Sequence, residues 1–432
     1  MTRRRLLLVT YHFTPSAGSA VHRAIALARY LPVNGWDVSV VSPTRLATEP
    51  EDMGLLPRVP RETQVIRRPY PVGLVGQAMA RFGNYNPWLP SAWRGVREAI
   101  ERHRPDVIKT SGPPGAVHLL GYLAKRIYGV PWLASFRDPW VTASTVYGGT
   151  GLQRQIDLFA ERRTMRHADL ICLNTPTNLA LLQEAYPRSA DRMFFLTNGL
   201  DPSNFQALPQ EASPRPQGSG LTLLHTGSIY AGRDPRPLFT ALRLIRETRP
   251  DLGPIRLHLI GRHHECGFDL PAEVRRYGVS DLVELTEHVS HREVITAMQN
   301  ADMLVVLHTA GARGVIPAKI YEYLGTGKPI LAMAEPNSDI EWVLRLTEVT
   351  HRMPGLSDPG ALVDAIVALA AEIKSGTTRA AADDKLRQFT RQEMAATLAR
   401  RLDTSHAARQ PAAQPARALI APASSLPRSP AD

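Results

Sequence analysis

Pro317, Ala318, Lys319 and Glu322 cluster in one stretch, residues 311–332, GARGVIPAKIYEYLGTGKPILA. A helix is predicted over 318–324, entered through Pro317 and broken by Gly325 and Gly327, the usual start and stop chemistry. The unpaired backbone N–H groups at such a start attract anions, and Lys319 adds a positive charge. Glu322, one turn further on, is placed to accept hydrogen bonds from sugar hydroxyls. A phosphate site beside a diol acceptor describes a pocket for a nucleotide sugar. Lys328 and Pro329 then open an apolar strand, Ile330-Leu331-Ala332.

Other strand ends carry further candidates. The strand predicted over 132–136 ends in Arg137-Asp138-Pro139-Trp140, and ligands of open α/β sheets sit at strand carboxyl ends. Arg137 supplies hydrogen-bond donors and a fixed charge rather than a base; a structural ion pair with Asp138 is the competing account. After a strand over 221–225 comes Thr226-Gly227-Ser228 and then AGRDPRP, which brings Arg233 and Arg236. A guanidinium suits bidentate contact with phosphate, although both arginines also flank a helix start. His263, His264 and Cys266 lie close together, but no second ligand pair follows, and no metal is expected.

These residues need a scaffold. The chain opens with a strand over 6–10, a loop over 11–19, a helix over 20–31 and a strand over 38–41, a βαβ start that implies a parallel sheet. Its loop, YHFTPSAGS, lacks G-x-G-x-x-G and is a poor dinucleotide fingerprint. A chain of 432 residues suggests two domains. The Pro-, Gly- and Ser-rich segment 207–220 is expected to link a domain over 1–206 to one over 221–384. A helix-like run over 385–403 follows, and the aperiodic tail 404–432 is expected to be disordered.

Bulk properties exclude some classes. Two isolated cysteines argue against a disulfide framework and fit a reducing compartment. The longest apolar runs are too short to span a membrane, so a cytoplasmic protein is expected. Net charge is +11, from arginine bias or an anionic partner. No nucleic-acid motif is recognisable, and no nucleic acid is expected as a partner. Arginines interleaved with Tyr70, Phe82, Tyr85, Trp88 and Trp93 over 58–104 could seat a segment on an anionic membrane surface; the tryptophans could equally be core.

The segment P-A-K-I-Y-E-Y-L-G-T-G-K-P (317–329) resembles the donor-binding segment of retaining, GT-B-fold glycosyltransferases of family 4 (glycosyl transferases group 1), in the variant common among enzymes of bacterial surface-polysaccharide synthesis. P-D-V-I (105–108), S-G-P-P (111–114) and R-D-P-W (137–140) are similar to the same subgroup's motifs, and N-G-L-D-P-S-N-F (198–205), whose Asn198-Gly199 pair is expected to turn through positive φ, is similar to the family's signature at the close of the first domain. The resemblance implies two Rossmann-like α/β domains facing across a cleft. It also implies transfer of a hexosyl group from a nucleoside-diphosphate sugar to a saccharide or lipid-linked acceptor, with retention and with no metal or other cofactor.

Carried over residue by residue, it gives Arg137, Asp138 and Lys319 as catalytic. Gly18, Gly227, Arg233, Gly261, Pro317, Ala318, Lys319 and Glu322 become donor-binding residues. The helix over 385–403 would cross back onto the first domain, and the enzyme would be peripheral on the inner face of the plasma membrane. Two departures stand out. The family's first motif glutamate falls on Gly314, so its role is not carried over, and Ser228 takes a position often held by arginine. A non-catalytic GT-B scaffold and a GT-B nucleotide-sugar epimerase are the alternative functions.

Overall fold

The computed structural model describes residues 3–44, 51–71, 87–142, 151–206, 220–230, 232–263, 267–287 and 289–407. Its inner strands include continuous buried apolar runs, residues 6–9, 303–307 and 330–333 among them, the pattern a sheet covered on both faces requires. In β1 (Arg4–Thr10), Leu6 to Val9 are all buried. The first sheet adds β2 (Trp36–Pro43), β3 (Gln64–Arg68), β4 (Val107–Gly112), β5 (Trp132–Phe136), β6 (Leu170–Leu173) and β7 (Met193–Phe195). Its order is β3-β2-β1-β4-β5-β6-β7, all parallel. Helices α1 (Ser19–Tyr30), α2 (Leu89–His103), α3 (His118–Tyr128), α4 (Gly151–His167) and α5 (Pro176–Ala185) supply its cover.

The second sheet contains β8 (Leu221–Thr226), β9 (Ile255–Ile260), β10 (Val283–Thr286), β11 (Met303–Leu307), β12 (Ile330–Met333) and β13 (His351–Arg352). Its order is β10-β9-β8-β11-β12-β13, again parallel. Its helices are α6 (Arg236–Thr248), α7 (Leu270–Arg276), α8 (His291–Asn300), α9 (Lys319–Thr326), α10 (Asp339–Thr347) and α11 (Pro359–Ser375). Strand order reverses between β1 and β4, and again between β8 and β11. Those reversals open the crevices in which α/β sheets hold ligands.

The chain ends with α12 (Asp383–Arg387) and α13 (Arg391–Ala407). Met394, Ala395, Leu398 and Leu402 of α13 enter the first domain's core beside Ala24, Leu27 and Leu31. The chain reaches that position through the segment around Gly199. There Leu200 N–H donates to the Phe389 carbonyl (2.9 Å) and Arg391 N–H to the Leu200 carbonyl (2.8 Å).

Several local expectations are corrected. The Asn198-Gly199 pair does not turn through positive φ. Gly199 serves close approach instead, since a Cβ there would lie 2.5 Å from the Phe389 carbonyl oxygen. Gly325 does not break the helix of the central stretch: α9 runs on to Thr326 and stops at Gly327, whose φ is +69°. Gly325 is small because Phe205 packs on it, with a built Cβ only 2.9 Å from that ring. α13 continues past Thr404 to Ala407, and the rest of the tail lies outside the described residues. Trp88 is buried, and Trp93 is partly buried against the same cluster. Phe82, Tyr85, His264, Cys266 and the linker residues 207–219 lie outside the described residues. Among the described residues no helix is long and apolar enough to cross a membrane, and no cluster could hold a metal ion.

The contact of α3 with β5 offers a test of this packing. Trp132 is fully buried, donates its indole N–H to Thr110 Oγ1 (2.8 Å), and lies against Gly121, where a Cβ would come within 2.1 Å of Nε1. Gly121→Ala is expected to lower stability by about 1–3 kcal/mol through overpacking, measured as a fall in the urea unfolding midpoint. An unchanged midpoint would contradict this contact.

Candidate active site

β8 delivers His225 and Thr226 to the carboxyl edge of the second sheet, where the chain turns at Gly227 (φ +103°) against Gly261 (φ +139°) after β9. A Cβ on Gly261 would lie 2.6 Å from the Gly227 carbonyl carbon, and one on Gly227 would lie 2.9 Å from Lys319 Nζ. Both positions therefore need glycine for its positive φ and its missing side chain. Together they leave room for the Lys319 ammonium, carried in by the first turn of α9. Ala318 is the N-cap and the Pro317 carbonyl accepts from Ile320 N–H (3.1 Å).

Lys319 Nζ lies 3.0 Å from His225 Nε2, and His225 Nδ1 lies 2.9 Å from the Val305 carbonyl. A carbonyl only accepts, so Nδ1 carries the ring proton and Nε2 accepts from the ammonium. Burial and the neighbouring Arg233 push the Lys319 pKa well below its ordinary value. Burial, with Lys319 close by, does the same to His225. His308, next after β11, bonds the Val315 carbonyl through Nε2 (3.0 Å), and burial pushes it down to about 4.

The two candidate arginines separate. Arg236 forms a bidentate pair with Asp234 (2.8 and 2.7 Å) and covers the Phe268 ring. Arg233 stacks on Tyr230 at 4.1 Å, donates to the Ser228 carbonyl (3.1 Å) and acts electrostatically on Lys319, His225 and His308. Arg233, not Arg236, is thus the guanidinium of the Lys319 group.

Glu322 faces elsewhere on α9. Its Oε1 lies 2.9 Å from His291 Nε2 of α8, and the His291 ring lies 4.6 Å from that of His22 of α1. Burial pushes the Glu322 pKa up, but His291, Arg391 and Arg58 outweigh it and hold the carboxylate below its ordinary value. Glu322 is therefore an ionised acceptor at the junction of the two domains.

The remaining predicted residues belong to the first domain. Gly18 is the N-cap of α1 with φ −65°, a conformation that needs no glycine. Arg137 N–H and Nε both donate to the Gly112 carbonyl (3.2 and 3.1 Å). Among the described residues Asp138 forms no ion pair with Arg137, so the competing account, a structural pair, is not met.

Gly314 has a different part. Its carbonyl accepts from Thr175 Oγ1 and Asn178 Nδ2 of the first domain, both at 3.0 Å, and a Cβ there would lie 2.6 Å from Asn178 Oδ1. Nearby, Thr177 donates to Asp339 Oδ1 (2.8 Å). The position at which the resemblance put a glutamate is a contact between domains, and no side chain fits there in this arrangement.

Sequence reasoning missed His225, His291, His308, Thr175 and Asn178. His225 left one signal, a lone imidazole inside an apolar strand just before a Thr-Gly turn. The others depend on pairings that no local pattern announces.

The two histidines predict a pH response. Their folded-state pKa values are depressed, so the unfolded chain takes up protons first as pH falls. Stability should therefore fall as pH drops below about 6.5, with the His308 share exhausted near pH 4. Urea midpoints at pH 7.5 and 5.5 test this; an equal or higher midpoint at the lower pH would contradict it.

The comparisons agree with this architecture. Residues 18–199 match the family model of the glycosyl transferase 4-like domain. No curated protein sequence matches the chain. Sucrose-phosphate synthase from Thermosynechococcus elongatus is 16% identical, with a TM-score of 0.67 over 94% of this chain and 100% of that one. HepE of Anabaena, solved with UDP-glucose, is 17% identical, with a TM-score of 0.64 over 93% and 99% of the two chains. WaaG, a glycosyltransferase involved in lipopolysaccharide biosynthesis, is 14% identical, with a TM-score of 0.58 over 92% and 95%. At these identities the likeness shows the fold alone. Residues 18–199 thus match the glycosyl transferase 4-like family model, and the chain as a whole has the GT-B fold of two parallel-sheet α/β domains.

Proposed function

We propose that the chain is a glycosyltransferase that moves a hexosyl group from a nucleoside-diphosphate sugar to an acceptor hydroxyl with retention, in the making of a cell-surface polysaccharide or glycoconjugate. The observation that carries this is the Lys319 group at the β8–β11 reversal: a half-buried ammonium beside a neutral imidazole, under two glycines, with Arg233 facing it. Cations gathered there suit a diphosphate. The family-model match over residues 18–199 and the UDP-glucose bound by HepE support the same choice.

In the proposed reaction the bond from the anomeric carbon to the phosphate oxygen breaks, leaving its electron pair on that oxygen. The acceptor oxygen bonds to the same face of the carbon, and its proton passes to the departing diphosphate. Lys319, Arg233 and the first amides of α9 offset the charge that develops there. Donors fixed in advance stabilise such a charge without reorganising. Pro317 and Ala318 position those amides, and Gly227 and Gly261 let the diphosphate approach the backbone. Glu322 accepts from the ribose hydroxyls. Gly18, Arg137 and Asp138 face the sugar and acceptor from the first domain.

A non-catalytic scaffold is the second reading, favoured by the Gly314 contact that stands where a motif glutamate would be. Melting curves with UDP, GDP, ADP and dTDP, with and without Mg²⁺, separate the two, since a ligand bound only by the folded state raises the midpoint. The transferase reading expects a rise with one of them. Lys319→Met and Glu322→Gln should each weaken that nucleotide by roughly 10- to 100-fold, the worth of one charged hydrogen bond, with the ligand-free fold retained. No rise with any nucleotide would leave the scaffold.

A further inference from the structure

The candidate nucleotide residues Lys319 and Glu322 sit on α9, but the side chain that fixes Glu322 comes from α8. Ser290 and Glu293 close the first turn of α8 as a capping box: Ser290 N–H donates to Glu293 Oε2 (2.8 Å) and Glu293 N–H to Ser290 Oγ (3.3 Å). His291, the first residue of that helix, is presented from this turn. Ile295 and Met298 of α8 share one apolar core with Ile320 and Leu324 of α9. Cores packed this densely hold their elements in place. The 2.9 Å contact between His291 Nε2 and Glu322 Oε1, both side chains largely buried, is therefore set by the fold.

The proton in that contact can be placed. Burial pushes Glu322 toward its neutral form, but the His291 hydrogen bond, with Arg391 and Arg58, holds it ionised. An ionised carboxylate only accepts, so His291 Nε2 carries a proton and donates it to Oε1. This is the only side-chain hydrogen bond to Glu322 among the described residues, which leaves Oε2 for a ligand. The His291 ring also lies 4.6 Å from that of His22, with 36° between the planes. Burial, with Arg391, His291 and Arg58 near it, pushes the His22 pKa well below its ordinary value, so that ring is neutral.

What His291 prevents matters as much as what it holds. Residues three apart on a helix are neighbours, and Glu322 already acts electrostatically on Lys319. Released from His291, the carboxylate would be drawn to that ammonium and would neutralise the charge meant for a diphosphate.

We propose that His291 is a positioning residue: it turns Glu322 away from Lys319 and toward the ribose, and so makes the site selective for ribonucleoside over 2′-deoxyribonucleoside diphosphates. The proposal rests on the nucleotide site of the transferase reading. A 2′-deoxy nucleotide covers the carboxylate without supplying the second hydroxyl, and a covered acceptor left without its donor is costly.

The test is isothermal titration calorimetry on the full chain with UDP and dUDP, GDP and dGDP, ADP and dADP, and dTDP. In the wild type, the ribonucleotide of one pair should bind about tenfold tighter than its 2′-deoxy partner, the worth of a charged hydrogen bond. His291→Ala should shrink that ratio to about threefold or less, mostly by weakening the ribonucleotide. His291→Gln, which keeps an N–H donor, should restore part of it. Both affinities are read on one sample, so a loss of folded protein does not move the ratio. Adding His291→Ala to Glu322→Gln should cost no further discrimination, because one residue acts through the other. A ratio unchanged in His291→Ala overturns the positioning role. A wild type that takes the 2′-deoxy diphosphates, dTDP included, as tightly as the ribonucleotides overturns the selectivity. In both cases the transferase reading stands. Failure of every diphosphate to bind overturns that reading and this proposal with it.

Discussion

At the start of α9 the half-buried Lys319 ammonium has a neutral imidazole as its hydrogen-bond partner and a guanidinium as its neighbour. Burying a charge without an opposite charge is costly, and the response of Lys319 is a strongly lowered pKa. Around it the structure is arranged to hold this state. Val305 fixes the His225 tautomer, Gly227 and Gly261 clear the space, and Asp234 draws Arg236 aside but leaves Arg233 in place. A diphosphate would supply the missing negative charge.

The two domains meet through polar contacts, through Leu200 and Phe205 packed in the second domain's core, and through one covalent return of the chain. Thr175, Thr177 and Asn178 at the start of α5 hold the Gly314 carbonyl and Asp339. Burial raises the pKa of Asp339, while its hydrogen bonds with the threonines oppose that shift. On another side His22 lies against His291, which holds Glu322. α13 anchors the C-terminal end of the chain in the first domain's core, so any movement of one domain against the other is tethered at 199–200 and 389–391. The candidate nucleotide residues and this junction share one helix, α9, which carries Lys319 toward His225 and Glu322 toward His291.

Much of the fold was legible because its signals are local. Apolar runs without alternation, punctuated by glycine and proline, announced parallel strands and their helices. Errors came where glycine does something other than turn. Gly199 and Gly325 were given backbone roles from their type, but each is small to admit a neighbour, Phe389 in one case and Phe205 in the other. A sequence records that a residue lacks a side chain, not whether φ or a neighbour demands it.

The sequence by itself determined the helix start that presents Lys319 and Glu322, the glycine turns at 227 and 261, and the strand end carrying Arg137 and Asp138, because spacing within one element dictates each. Tertiary structure decided which arginine faces Lys319, that Arg137 and Asp138 do not pair, and that Gly314 is a contact between domains. It alone brought His225 to Lys319 across 94 residues, and His291 to Glu322. The physical reason is the parallel sheet. Each crossover inserts a helix between neighbouring strands, so groups adjacent at the carboxyl edge are far apart along the chain, and only the completed strand order sets which of them meet.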